Sequence, residues 1–278
     1  MEPTLIFHSG MELLEGPVFD RQNEYLYFVS ILDCLVYCYN PGNHEILSVK
    51  LDSPVGCVYI LGFKKILAAS KNGFYEINFT TLEKSFRFQI GIDENVRYND
   101  GIQDSIGRYI IGTMGYPEVQ EEIGTVYSYH QGSFSALIER TTISNGLAFT
   151  SDSRVLYFID TPTKKVAKYF YDISKGTVVF DSIVIEFVGD GSPDGMCIDQ
   201  EGMLWIAEWG GSCISKWNPD TGRQLNKLYL PCINVTSCCF DHLGNLYVTT
   251  AKSELAEDHM GGSLYYFELI KNQTIEQD

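Results

Sequence analysis

Short apolar runs separated by turn residues dominate this chain, and helical periodicity is almost absent from it. The runs are rich in Tyr, Phe, Val and Ile, which suit a pleated sheet. Turn-forming sequences such as Pro41-Gly42-Asn43 and Lys71-Asn72-Gly73 lie between them. We therefore predict a chain of short strands. The clearest predicted strands are Tyr25–Ile31, Leu35–Tyr39, Lys65–Ala69, Gly73–Phe79, Tyr109–Thr113, Thr125–Tyr129, Val155–Asp160, Lys165–Tyr171, Leu204–Glu208, Cys213–Trp217, Leu246–Thr250 and Ser263–Phe267.

A repeated phrase organises these strands. It has the form small-Gly-apolar, strand, Asp-x-x-Gly, strand, and its small residue stands at positions 16, 56, 101, 146, 195 and 237. Copies spaced by about 40–50 residues, with about four strands each, are typical of propeller blades. The length of 278 residues allows two ordinary domains or one β-rich domain, and the repeat favours one. We predict an all-β, six-bladed β-propeller with four-stranded blades around a central channel, one domain over residues 1–278.

The last repeat is incomplete, because only three clear strands follow position 234. The N-terminal segment Thr4–His8 has the composition of a strand and could supply the fourth. Such closure would leave no long open sheet edge. We therefore expect the two ends of the chain to share a blade.

Polar residues occupy the start of several repeats. The positions hold Glu15, the pair Asn99-Asp100, Asn145 and Asp194. The innermost strands of a propeller converge on one channel, so these oxygen donors would meet there, and they suit Ca²⁺, Mg²⁺ or Mn²⁺. Zn²⁺ remains an alternative, although its usual His and Cys ligands are missing. Any single Asn-Gly or Asp-Gly could be an ordinary turn, but four polar sites in register favour a cation site.

The charge balance disfavours two classes of binding partner. With 20 basic and 36 acidic residues the net charge is −16, which argues against nucleic acid and against an anionic membrane surface. Most of the excess carboxylates are expected to be solvated. The most apolar stretch, residues 25–39, contains Asp33 and is shorter than the roughly 20 residues of a membrane helix. No secretory signal is evident, so we expect a cytoplasmic protein.

The eight cysteines predict neither disulfides nor a zinc cage. They lie in apolar, strand-like runs, and none forms a CxxC pair. Free thiols that pack as small hydrophobic residues are the expected state.

Several of these phrases together resemble the regucalcin/gluconolactonase family, which is also called the senescence-marker-protein family. The resemblance covers about residues 12–267 and depends on several motifs in the correct order. The matching phrases are Leu14-Glu15-Gly16-Pro17-Val18-Phe19-Asp20, Arg97-Tyr98-Asn99-Asp100-Gly101, Gly107-Arg108-Tyr109-Ile110-Ile111-Gly112-Thr113-Met114, Ser144-Asn145-Gly146-Leu147-Ala148-Phe149, Pro193-Asp194-Gly195-Met196 and Leu204-Trp205-Ile206-Ala207-Glu208-Trp209-Gly210-Gly211.

The resemblance implies a site with assigned roles. It implies one divalent metal ion held by Glu15, Asn145 and Asp194, for which Ca²⁺ is our first choice and Zn²⁺, Mg²⁺ or Mn²⁺ are alternatives. It also implies substrate contacts from Arg97 and Asn99. A glutamate before the next strand often touches the sugar in this family, and among Glu118, Glu121 and Glu122 we favour Glu121.

Glu208 is a departure from the family pattern, because relatives often carry a neutral residue or His before Trp-Gly-Gly. It could add negative charge near the site or point outward as a solvated residue. We favour the outward, solvated position.

These expectations together favour a metal-dependent hydrolase that opens a small-molecule sugar lactone. Asp194 would also act as the general base for the attacking water, and Arg97 and Asn99 would orient the substrate. No Gly-x-Ser-x-Gly elbow is present, which disfavours serine chemistry. Two alternatives remain: an aryl-ester or phosphotriester hydrolase on the same metal site, and a non-enzymatic propeller that binds calcium.

Overall fold

Strands account for nearly all the regular structure of this chain. The computed structural model describes residues 1–255 and 258–269, and in that part the only helical element is the 3₁₀ turn Thr161–Thr163. The strands in chain order are β1 (Thr4–His8), β2 (Leu14–Asp20), β3 (Tyr25–Ser30), β4 (Leu35–Asn40), β5 (Glu45–Lys50), β6 (Val55–Gly62), β7 (Lys65–Ser70), β8 (Gly73–Asn78), β9 (Glu83–Phe88), β10 (Val96–Gln103), β11 (Tyr109–Gly115), β12 (Gly124–His130), β13 (Ser133–Thr141), β14 (Ser144–Phe149), β15 (Val155–Asp160), β16 (Lys165–Asp172), β17 (Thr177–Glu186), β18 (Ser192–Ile198), β19 (Leu204–Trp209), β20 (Cys213–Asn218), β21 (Arg223–Tyr229), β22 (Asn234–Phe240), β23 (Leu246–Ala251) and β24 (Ser263–Phe267).

The strands form six four-stranded antiparallel sheets. Blades 1 to 5 each use four consecutive strands, namely β2–β5, β6–β9, β10–β13, β14–β17 and β18–β21. The first strand of each blade contacts the first strand of the next, and β22 returns to β2. The first strands therefore form a closed ring around a central channel. The predicted six-bladed propeller with four-stranded blades is confirmed.

Blade 6 is completed from both ends of the chain, as predicted. Its order is β22, β23, β24 and β1, and β1 pairs antiparallel with β24 from Thr4 opposite Tyr266 to His8 opposite Ser263. The Nδ1 atom of His8 also lies 2.8 Å from the Ser263 hydroxyl. The strand β1 thus covers the edge that β24 would otherwise expose.

The apolar core is distributed around the ring. Each of the six interfaces between neighbouring blades has its own cluster of buried apolar side chains. Between blades 5 and 6, for example, Trp205 and Ala207 pack with Val235 and Tyr265. Because these interfaces hold the apolar side chains, the centre of the ring is left to polar residues.

An aspartate ends the first strand of several blades and fixes the following turn. In blade 3, the Asp104 carboxylate accepts hydrogen bonds from the backbone N–H groups of Ile106 and Arg108 at 3.0 and 2.8 Å. In blade 5, Asp199 accepts them from Glu201 and Met203, each at 2.9 Å. This is the Asp-x-x-Gly part of the repeat, which holds the backbone in a tight turn. Asp20 and Asp241 serve the equivalent turns of blades 1 and 6.

The eight cysteines are free thiols, in agreement with the sequence, and five of them are buried. In the described part of the chain, none of the helical structure has the length and apolar character needed to span a bilayer.

Candidate metal centre

Each first strand is irregular at the same point of the repeat. The pairing between first and second strand shifts register between Glu15 and Val18 in blade 1, between Asn145 and Leu147 in blade 4, and between Pro193 and Met196 in blade 5. Equivalent shifts occur in the other blades, at Val55/Cys57, Tyr98/Gly101 and Val235/Ser237. A β-bulge redirects the side chains next to it. The polar residues at the blade starts are therefore brought to the channel by a bulge that recurs in every blade.

Glycine at this point allows the first strands to approach closely. A Cβ atom on Gly146 would lie 2.6 Å from the Asp194 carbonyl oxygen of the next blade. Real Cβ atoms essentially never come so near a backbone oxygen, so only glycine fits. This packing sets the separation between Asn145 and Asp194.

Glu15 and Asp194 are buried carboxylates that lie close enough to repel each other. Their exposed fractions are 7% and 5%. Burial first, and then the charges of Asp194 and Asp100, raise the pKa of Glu15 well above its usual value. Burial and the charge of Asp100 do the same to the pKa of Asp194. Burial also raises the pKa of Asp100 to about 6. The site is short of positive charge.

Asn145 contributes an oxygen that no protein group satisfies. Its Nδ2 atom donates to a carboxylate oxygen of Asp194 and, at 3.1 Å, to the Thr161 hydroxyl. Its Oδ1 atom is buried, and no hydrogen-bond donor in the described residues reaches it. A buried acceptor without a partner is rare and calls for an ion or a water. Thr161 in turn donates to the Pro193 carbonyl at 2.9 Å, which ties blade 4 to blade 5.

These observations test whether the three predicted ligands fit a metal ion. Two repelling carboxylates and one orphaned amide oxygen form a set of hard oxygen donors, which suits Ca²⁺, Mg²⁺ or Mn²⁺. Within the described residues no group of three or more His, Cys, Asp or Glu side chains is arranged to bind a metal. The set here therefore depends on the amide of Asn145. With that amide included, the residues present fit a hard divalent cation.

Arg97 and Asn99 lie beside these carboxylates on β10. Both side chains are buried, and Arg97 donates from Nη1 to Asn99 Oδ1 at 2.7 Å and to the Tyr98 carbonyl at 3.0 Å. Asn99 donates from Nδ2 to the Ser144 carbonyl at 3.0 Å, next to Asn145. Burial lowers the pKa of Arg97 to about 10, while the nearby charges of Glu15 and Asp194 act in the opposite direction. Arg97 is therefore a cation at the candidate metal centre, and it forms no salt bridge with a described residue.

Glu121 is not brought to the centre. It is exposed in the loop between β11 and β12, and the described structure gives it no hydrogen bond or ion pair. Its neighbour Glu122 pairs with Arg140 at 2.5 Å on the surface. The loop does begin close to the site, because Tyr116 lies near enough to Arg97 to affect its pKa.

Glu208 differs from the expectation that it points outward into solvent. It is buried, with an exposed fraction of 5%, and its Oε2 atom accepts a hydrogen bond from Lys227 Nζ at 3.0 Å. Its other oxygen has no hydrogen-bond partner among the described residues. The prediction was wrong because Lys227 belongs to β21, two strands away, and the sequence does not show that pairing. Glu208 lies opposite Pro193, beside Asp194.

Two further residues belong to the centre: Asp100, which the sequence placed among the oxygen donors without a separate role, and Thr161. Asp100 shares the blade 3 bulge with Asn99, and its charge acts on both Glu15 and Asp194. Its position next to Asn99 in the repeated phrase was the available signal. Thr161 lies outside the repeated phrases, and the sequence offers no signal for its contact with Asn145.

Comparison with known proteins gives a consistent result over most of the chain. The sequence model described as SMP-30/Gluconolactonase/LRE-like region matches residues 13–252. A Bacillus subtilis protein named "Putative sugar lactone lactonase YvrE" is 33% identical over 259 residues, with 89% of this chain and 88% of that protein covered. Regucalcin from Xenopus laevis is 33% identical over 257 residues, with 88% and 85% covered.

Solved structures show the same fold. A calcium-binding protein, regucalcin, from Agrobacterium tumefaciens superimposes with a TM-score of 0.89 at 23% identity and covers 96% of this chain and 93% of its own. A gluconolactonase from Xanthomonas campestris superimposes with a TM-score of 0.74 at 18% identity, covering 94% and 87%. At these identities the likeness concerns the fold alone.

Proposed function

The chain belongs to the SMP-30/gluconolactonase/LRE-like family, and from that membership we propose that it is a divalent-metal-dependent hydrolase that opens sugar lactones. Two names support the substrate class, since one relative is named "Putative sugar lactone lactonase YvrE" and the matching family model carries the name gluconolactonase. The observation that carries the proposal is the orphaned, buried Oδ1 atom of Asn145. The amide of Asn145 is bonded to Asp194, one of two carboxylates that repel each other, and Arg97 nearby has no ion pair among the described residues.

Glu15, Asn145 and Asp194 would hold the cation, with Ca²⁺ as the first choice and Zn²⁺, Mg²⁺ or Mn²⁺ as alternatives. When bound, a divalent cation polarises a carbonyl and lowers the pKa of water. Hydrogen bonds orient the three side chains: Asn145 donates to Asp194 across two blades, and the Gly16 N–H donates to Glu15 within the same strand at 2.8 Å. The calcium-binding regucalcin among the structural neighbours is compatible with this choice.

Asp194 would take the proton from the attacking water onto its carboxylate. The hydrogen bond from Asn145 Nδ2 occupies one of its oxygens and orients the group. Its position in the blade 5 bulge keeps it out of the strand ladder, so the side chain can face the channel. General-base assistance of this kind contributes about 10²–10⁴-fold to a rate.

Arg97 and Asn99 would bind the substrate. The described residues accept hydrogen bonds from Nη1 of Arg97, and a guanidinium has five N–H donors in all. The remaining donors suit the hydroxyls of a sugar and the negative charge that develops on the lactone carbonyl oxygen. A polyol makes better use of these polar groups than an apolar phosphotriester. Glu121 would reach a substrate only if the loop between β11 and β12 moved toward Arg97.

The proposal is tested by removing and restoring the metal. A chelator is used to strip the protein, Ca²⁺, Mg²⁺, Mn²⁺ and Zn²⁺ are restored singly, and acid release is followed with a panel of sugar lactones and aryl phosphotriesters. We expect turnover of at least one lactone with at least one cation, and none in the stripped protein. Turnover of phosphotriesters alone would favour the second hydrolase. Cation binding without turnover of any ester would favour a non-enzymatic calcium-binding propeller.

The role of Asp194 is tested separately with Asp194→Ala, for which we expect loss of turnover and a retained fold. A matched control is Asp220→Ala, because Asp220 is an exposed carboxylate in a turn of the same blade. Retained turnover in Asp194→Ala, with a far-ultraviolet spectrum like that of the wild type, would refute the assigned role.

A further inference from the structure

A cavity of about 260 Å³ is lined by residues of the first strands that follow the proposed metal ligands in the sequence. Gly16, Asp100 and Phe240 are among the residues that line it. Three thiols, those of Cys197, Cys238 and Cys239, also line this cavity. The mechanism proposed above uses none of them.

Two of these thiols touch each other across a blade interface. The Sγ atoms of Cys197 on β18 and Cys238 on β22 lie 3.5 Å apart. The Cys238 thiol also donates to the Trp205 carbonyl at 3.5 Å, which fixes its direction. No other two cysteine sulfur atoms in the described residues share such a contact. Cys197 is half-buried, and Cys238 is buried.

The two strands are already close enough to be cross-linked. A disulfide needs an S–S distance of about 2.05 Å, so the sulfur atoms must approach by about 1.5 Å. Near this pair, a Cβ atom on Gly195 would lie 2.5 Å from the Cβ atom of Ser237, which shows how tightly β18 packs on β22. Side-chain rotation and a small strand shift would close the remaining distance.

We propose that Cys197 and Cys238 form a modification site at which a small two-electron oxidant of the peroxide class makes a disulfide between blades 5 and 6. The Cys197 thiolate attacks one peroxide oxygen, the O–O bond breaks, and the leaving hydroxide becomes water. Cys197 is then a sulfenic acid. The Cys238 thiolate attacks its sulfur, the S–O bond breaks, and a second water leaves. Two thiols lose two electrons and two protons in total, and one hydrogen peroxide is reduced to two waters.

The surroundings of Cys197 set the rate of this reaction. Burial first, and then the neighbouring Cys238, Cys239 and Asp199, raise the pKa of the Cys197 thiol well above its ordinary value. The thiolate is the form that attacks an oxidant. We therefore expect a slow reaction at neutral pH that becomes faster as the pH rises.

The disulfide would also act on the metal centre, a consequence that rests on the proposed lactone hydrolysis. Cys197 follows Asp194 by three residues on the same strand, and Gly146 of blade 4 packs tightly against the Asp194 carbonyl. Pulling β18 toward β22 would displace the Asp194 carboxylate. Because a misplacement of about 1 Å can cost a factor of 10² in rate, we expect turnover to fall by about tenfold or more.

Peptide mapping after oxidation tests the site without any measurement of activity. The folded protein is treated with excess hydrogen peroxide at mildly alkaline pH, quenched, alkylated and digested without reduction. We expect a peptide pair linked through Cys197 and Cys238, and a fall in free thiols counted after unfolding from eight to six. Dithiothreitol should restore all eight. A linkage through Cys239, or sulfonic acids with no disulfide, would overturn the proposal.

Variants separate the site from its proposed consequence. Cys238→Ala should prevent the cross-link, and Cys239→Ala is the matched control, since that thiol lines the same cavity and should leave the link unchanged. If a lactone is turned over, oxidation should lower the rate of wild type and of Cys239→Ala, reversibly, and spare Cys238→Ala. A mapped disulfide with unchanged turnover would refute the effect on Asp194. An absent disulfide would refute the site whatever the activity.

Discussion

The candidate metal centre holds more carboxylates than its one arginine can balance. The charges of Glu15, Asp100 and Asp194 are accompanied by one guanidinium, that of Arg97. Arg97 forms hydrogen bonds to Asn99 and to the Tyr98 carbonyl, and it forms no salt bridge with a described residue. Burial makes this imbalance costly, because charges in a region of low polarity are poorly screened. The pKa values of the three carboxylates are raised because burial, and for Glu15 and Asp194 also repulsion, disfavours their charged forms. A bound divalent cation would remove most of it.

The same charge imbalance predicts how the free energy of unfolding changes with pH in protein that has been stripped of metal. The pKa of Asp100 is about 6 in the folded chain, above its ordinary value, so the folded state binds this proton more tightly than the unfolded state does. The carboxylate therefore destabilises the fold above that pKa, and the penalty is relieved as the pH falls through it. Between about pH 7.5 and pH 5 we expect wild type to gain about 1–2 kcal/mol relative to Asp100→Asn.

Urea unfolding at the two pH values measures this difference, and comparison with the variant removes the contribution of titrating groups on which Asp100 does not act. Saturation with a divalent cation should reduce the difference. An identical pH dependence in the chelated wild type and in Asp100→Asn would contradict the charge imbalance.

The first strands are the elements that build the site, and their role was readable from sequence. The repeated glycine and polar residues mark a bulge, because a tight approach excludes a side chain at one position and redirects its neighbour. The outer strands of the blades were harder to predict from the sequence than the first strands. The strand β9, Glu83–Phe88, is largely exposed, so it lacks the alternation of apolar and polar residues that marks a half-buried strand.

Side-chain positions within the elements were only partly predictable. Glu15, Asn145 and Asp194 could be grouped because they occupy equivalent points of a repeat. Glu208 could not be placed, since its burial depends on a lysine two strands away in the blade. The exposed position of Glu121 likewise depends on the path of a loop, for which the sequence has no periodic signal.

Because the first strands pack closely, we expect a side chain added at Gly146 to disturb the site. An added Cβ would collide with the Asp194 carbonyl oxygen at 2.6 Å, and backbone cannot yield as a flexible side chain can. We expect Gly146→Ala to lower lactone turnover by about tenfold or more through displacement of Asp194. Gly91→Ala is the control, because a Cβ there meets no atom within 4 Å. Equal rates in the two variants would contradict this account of the site.

At the scale of the whole molecule, the ring depends on both ends of the chain. The strand β1 pairs with β24 and also reaches blade 1, where the rings of Phe7 and Tyr37 lie 5.7 Å apart. The three clear strands of the last repeat and the strand-like composition of Thr4–His8 were enough to predict this closure. The net charge of −16 did not indicate where the site lies, because only a few of the 36 acidic residues belong to it.

Removal of residues 1–9 should therefore destabilise the propeller strongly. It would expose the edge of β24 and the apolar surface under Phe7, and we expect the free energy of unfolding to fall by about 3 kcal/mol or more. Urea unfolding measures this change. A chain that lacks only residues 1–3, which precede β1, should unfold like wild type. Equal midpoints for the two truncated chains would show that closure by β1 contributes little.

The central claim is that Glu15, Asn145 and Asp194 together bind one divalent cation. Calorimetric titration of the metal-stripped protein with Ca²⁺, and separately with Mg²⁺, Mn²⁺ and Zn²⁺, tests this claim most directly. Wild type is compared with Asn145→Leu and with the exposed control Asn43→Leu. The account predicts one cation per chain in wild type and in Asn43→Leu, with binding lost or greatly weakened in Asn145→Leu. Unchanged affinity and stoichiometry in Asn145→Leu, with its fold intact, would contradict it.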